Sequence, residues 1–80
     1  MQEYKERASK SISKLQLRLK EVSNIPKKYT YLYELAKQYY NDSVHYYNID
    51  DFFTSFGCSD YAYGILDSLD FIVNGNYPKP

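Results

Sequence analysis

The stretch SDYAYGILDSLD, residues 59–70, decides how this chain folds. Ala62, Ile65, Leu66 and Leu69 recur at spacings that gather them on one side of a helix turning by about 100° per residue. Cys58 before them and Val73 after them extend the same stripe, the natural core-facing side. Gly64 sits awkwardly in this pattern, because an interior glycine costs a helix about 1 kcal/mol relative to alanine. Gly57 lies seven residues earlier, and both glycines fall almost opposite the apolar stripe. Ser68 is close by, with Phe53 and Phe71 flanking them, and only Asp60, Asp67 and Asp70 interrupt the apolar perimeter. A helix apolar almost all round is normally buried all round, whereas each helix of a three-helix bundle keeps a solvent face. Two expectations follow. In one, the outer face docks another helix, most simply from a second copy, with Phe53, Gly57, Gly64, Ser68 and Phe71 as its interface. In the other, the remaining helices wrap this one unevenly and the glycines relieve crowding within the chain.

Working outward, Tyr4, Ala8, Ile12, Leu15, Leu19 and Val22 repeat every three or four residues and predict a first amphipathic helix over about 3–22. Ser23-Asn24-Ile25-Pro26 ends it, since the residue before a proline leaves the α region. A second helix is expected over about 27–47, with Tyr29, Leu32, Tyr33, Ala36, Tyr40, Ser43, Val44 and Tyr47 as its stripe. Leu35, Tyr39 and Tyr46 widen that stripe on one side. Asn48-Ile49-Asp50 reads as a turn in which Asp50 caps the third helix, over about 51–73. Asn74-Gly75 is a common helix stop, and residues 74–80 form a tail. The expected architecture is all-α, a single-domain, up-down-up three-helix bundle.

Composition narrows the function classes. The chain of 80 residues is 44% hydrophobic and 25% charged, a globular balance. Its one cysteine excludes an internal disulfide and suits a reducing compartment. A charged N-terminal segment and short apolar runs argue against a signal peptide or membrane span, so a cytoplasmic protein is expected. Residues 1–40 hold nine Lys/Arg against four Asp/Glu, a balance of +5, while residues 41–80 hold one Lys and six Asp, a balance of −5. A basic helix packed beside an acidic one accounts for the asymmetry by cancelling the field. Eleven tyrosines supply amphipathic area suited to half-buried helix surfaces or an interface.

Two further stretches carry a family resemblance. ELAKQYYNDSVHYYNIDD (residues 34–51) and SDYAYGILDS (residues 59–68) resemble the archaeal domain of unknown function family 357. The matching positions include Ala36, Tyr39, Tyr40, Asp42, Tyr61, Ala62, Gly64, Leu66 and Asp67. Ser43 and Ser68 stand where the family usually has alanine, and Asp60 where it has a small hydroxyl residue. The resemblance implies a three-helix bundle in an archaeal cytosol and no activity. Tyr40, Asp42, Tyr61 and Asp67 are therefore motif positions without an assigned role.

Chemistry is sparse. Asp42 and His45 stand at i, i+3, a spacing that carboxylate-bridged metal bundles use, but His45 lies opposite its helix's apolar stripe and should face water. No metal or cofactor is expected. Asp42 and Asp67 could line a groove as a carboxylate pair; alternatively Asp67 pairs with a cation of the first helix or a tyrosine hydroxyl and fixes helix register. Cys58 lies on the core stripe, where a thiol behaves as a small hydrophobe. With no nucleophile in a reactive setting, the expectation is a non-catalytic protein-interaction or self-association module. The alternative is a nucleic-acid-binding accessory protein using Arg7, Lys10, Lys14 and Arg18, which form a basic stripe along the first helix.

Overall fold

In a computed structural model that describes residues 2–75, the chain forms three α-helices: α1 (Gln2–Glu21), α2 (Thr30–Asn48) and α3 (Phe52–Asn74). Among the described residues there is no strand. The all-α three-helix reading holds, and the helix limits move by only one to three residues. Of the expected tail over residues 74–80, Asn74 is the last residue of α3 and Gly75 its cap, and residues 76–80 lie outside the described residues.

The breaks between helices follow from local chemistry. Asn24 takes a left-handed conformation (φ 58°), which asparagine tolerates better than most residues. Pro26 then opens a single 3₁₀ turn, Lys27–Tyr29, closed by the Tyr29 N–H donating to the Pro26 carbonyl at 2.9 Å. At the end of α2, Asp50 is left-handed (φ 65°). Its N–H donates to the Tyr47 carbonyl and that of Asp51 to the Tyr46 carbonyl, the double closure of a Schellman motif. The cap of α3 is therefore Asp51, not Asp50: the Asp51 carboxylate accepts from the Thr54 N–H at 3.2 Å. Asp50 is committed to ending the preceding helix and cannot also begin the next. Gly75, left-handed at φ 68°, closes α3 as expected, its N–H bonded to the Phe71 carbonyl.

α3 is the central element. It packs most extensively on α2, less on α1, while α1 and α2 touch least. Antiparallel pairing of α2 with α3 runs through Tyr47 against Phe52 (5.1 Å between centroids), the Ser55 hydroxyl donating to the Ser43 carbonyl (2.6 Å), and Tyr39 against Tyr61 (4.7 Å). Parallel pairing of α1 with α3 runs through Tyr4 against Phe53, a 2.6 Å hydrogen bond between the Ser11 and Ser59 hydroxyls, and Arg18 with Asp67 and Asp70. Buried serines at 43, 55 and 59 have small side chains with satisfied hydroxyls, so helix backbones approach closely there without an orphaned polar group.

The fully buried cluster is small: Leu15, Ala36, Ala62, Leu66 and Leu69. Tyrosines complete it from the edges, with the partly buried Tyr29, Tyr33, Tyr39, Tyr40 and Tyr63 packed against the cluster. Tyr33 also donates to the Leu19 carbonyl at 2.9 Å, satisfying one of the acceptors left open in the last turn of α1. The resulting molecule measures 39 × 28 × 16 Å, a thin slab with α3 along its middle.

Candidate functional site

The outer face of α3 is built by the same periodicity that builds the core. Ser55, Ser59, Ala62, Leu66 and Leu69 point inward and are fully buried. About half a turn away, Gly57, Gly64 and Ser68 are exposed and Phe53 is 71% exposed, while between the two sides Tyr61 and Ile72 remain 59% and 54% exposed. The Ser68 hydroxyl donates its one proton to the Gly64 carbonyl at 3.0 Å, which leaves it only as an acceptor toward the outside. A Cβ placed on Gly57 or Gly64 would meet nothing within 4 Å. Relief of crowding within the chain, one of the two expectations for these glycines, is therefore excluded. Phe71 is half-buried and belongs to this face only in part. Tyr61 and Ile72 join the face without having been assigned to it from the sequence. Their signal was there, since both lie within a third of a turn of the glycine arc.

Beside Gly57 the face dips into a shallow apolar groove of about 290 Å³ between Phe53, Tyr39 and Tyr61. Tyr61 leans on Tyr39 across the α2–α3 seam, with ring centroids 4.7 Å apart and planes tilted by 38°. Cys58 borders this groove and is half-buried. Burial, followed by the negative charges of Asp42 and Asp51, pushes its thiol up, so the reactive thiolate is disfavoured.

The remaining motif positions scatter. Tyr40 packs on the core and its carbonyl accepts from the Ser43 hydroxyl. Asp42 is exposed on α2. Asp67 is engaged by Arg18 at 3.3 Å, the pairing with a cation of the first helix that its sequence position allowed. His45 is exposed, its ring edge-on to Tyr46 at 5.2 Å. Among the described residues no three His, Cys, Asp or Glu side chains come together, and no helix is long and apolar enough to cross a membrane.

The basic stripe of α1 splits in two. Arg18 turns onto α3 and bonds Asp70 at 3.0 Å as well as Asp67, which removes it from the expected anion-binding set. Burial opposes its charge, but the hydrogen bond and charge of Asp70, then those of Asp67, outweigh that and hold the guanidinium above its ordinary range. Its buried Nε has no acceptor, which subtracts from what the cluster contributes. Arg7, Lys10 and Lys14 stay exposed and line a separate groove of about 440 Å³ between α1 and α3.

The family model described as "Protein of unknown function (DUF357)" matches residues 3–74, which spans all three helices. The chain belongs to the DUF357 family. The match reaches beyond the two motifs legible by eye, because it includes α1, whose pattern of apolar residues is shared by any amphipathic helix. Comparison with curated proteins and with solved structures gives no match. The DUF357 description assigns no function to its members.

Proposed function

We propose that this DUF357 protein is a non-catalytic self-association module that pairs with a second copy through the outer face of α3. The observation carrying this reading is the pair of solvent-facing helix glycines that nothing in the protomer requires. Each weakens the helix by about 1 kcal/mol relative to alanine, so a use outside the protomer offsets what the protomer loses. The face is self-complementary. In an antiparallel pairing that sets Gly57 of one copy against Gly64 of the other, Phe53 falls against Ser68, a large ring over a small residue. Phe53, Tyr61 and Ile72 supply the exposed apolar area, and aromatic side chains of this kind anchor interfaces. A cytoplasmic setting accords with the single unpaired thiol of Cys58.

The test is the mass in solution by light scattering across a concentration series, for wild type and for Gly64→Leu. The expected result is a concentration-dependent dimer that Gly64→Leu converts to a monomer of unchanged helicity. A wild type that stays monomeric up to millimolar concentration overturns the reading.

A further inference from the structure

The groove between α1 and α3 is independent of the glycine face and has a different character. Its rim carries Arg7, Lys10 and Lys14 from successive turns of α1, and its α3 wall carries Phe56, Asp60 and Tyr63. Where the two helices meet beside the groove, the Ser11–Ser59 hydrogen bond draws them together, so the longer side chains on either side stand up around a trough. Three cations face one carboxylate in a chain whose formal net charge is +0. Lys10 and Asp60 make no ion pair among the described residues, Arg7 holds only the exposed Glu3 at 3.1 Å, and the Lys14 ammonium lies 5.3 Å from the Tyr63 ring centroid.

We propose that this groove binds single-stranded nucleic acid. Its phosphates lie on Arg7, Lys10 and Lys14, a base packs against the aromatic wall of Phe56 and Tyr63, and Asp60 accepts from the amino group of that base. Cations along a groove edge with aromatic rings beneath them are the combination that holds a single strand, because the backbone is anionic and every base has a π-face. Asp60 selects this occupant over an acidic peptide. A carboxylate on the α3 wall, between the aromatic rings in sequence, repels side-chain carboxylates packed there, whereas the exocyclic amino groups of cytosine, adenine and guanine are donors it can accept from. Arg18 has no part in the site, being held by Asp67 and Asp70.

The experiment is fluorescence anisotropy with labelled 12-nucleotide oligo(rC) and oligo(rU), at protein concentrations below any self-association and over a salt series. The expected result is binding whose log K falls with log salt at a slope of about −2, the value for some three phosphates on a single strand. Oligo(rC) should bind at least threefold more tightly than oligo(rU), since the two pyrimidines differ at position 4 in amino donor against carbonyl, and Asp60→Asn should erase that preference. Arg7→Gln/Lys10→Gln/Lys14→Gln, all at exposed positions, should weaken binding at least tenfold with the helical circular dichroism unchanged. Absence of binding at low salt, full binding by the triple variant, or equal competition by poly-glutamate overturns the proposal. Equal affinity for the two oligonucleotides overturns the role given to Asp60.

Discussion

On the inner face of α3, Ser55, Ser59, Ala62, Leu66 and Leu69 are fully buried, although two of the five are polar. On the outer face, Phe53, Tyr61 and Ile72 are more than half exposed, although all three are large and largely apolar. Hydrophobicity alone therefore does not sort the two faces. What sorts them is which side chains let neighbouring backbones approach: serines whose hydroxyls find partners on α1 and α2, and alanines at 36 and 62. The outer face has small residues too, but no helix of the protomer lies over them. The same division separates Arg18 from Arg7 on α1, one locked onto two aspartates of α3 and the other exposed beside Glu3.

The sharpest way to break this comparison is to truncate one residue on each face. Leu66→Ala, at a fully buried position, should lower stability by about 2–5 kcal/mol in urea denaturation, while Phe53→Ala should change dilute-protein stability by less than about 1 kcal/mol. Similar losses from both would mean the outer face is part of the core. Next, Arg18→Ala strips Asp67 and the mostly buried Asp70 of a shared cation and should lose about 1–3 kcal/mol by the same measurement. Arg7→Ala, exposed with Glu3, should lose no more than a few tenths.

A third comparison reverses the sign. Gly64→Ala should stabilise the dilute protein by up to about 1 kcal/mol, because the added methyl meets only solvent and raises helix propensity. A loss instead would show the position to be crowded. The smallest effect concerns Cys58. Its raised thiol pKa means the neutral form is favoured in the folded state, so the stabilisation is present at neutral pH and fades as pH rises through the ordinary thiol range and beyond. Alkylation of the native protein should accordingly show a rate midpoint at higher pH than alkylation in denaturant.

Much of the fold was written in local pattern. The three- and four-residue spacing of Ala8, Leu15, Ala62, Leu66 and Leu69 located their helices, and Gly75 its stop, because amphipathic periodicity and a left-handed cap are properties of a few neighbouring residues. The turn before α3 differs from its sequence pattern by one residue. Adjacent aspartates share the same capping chemistry, and only backbone geometry assigns Asp50 to the end of α2 and Asp51 to the start of α3. The glycine face could be located from the sequence, but its emptiness could not. Helical angle says which residues share a side and is silent on whether a neighbour covers it.

The sequence by itself determined three amphipathic helices, their order, and the odd placement of Gly57 and Gly64, since all of these depend on side-chain type at fixed angular intervals. Only the tertiary structure decided that α3 lies between the other two with its glycine side uncovered, that Arg18 leaves the basic stripe for Asp67 and Asp70, and that Arg7, Lys10 and Lys14 share a groove with Phe56 and Tyr63. These depend on distances between residues some fifty positions apart in the chain, which are set by how closely the buried serines and alanines let the helices pack.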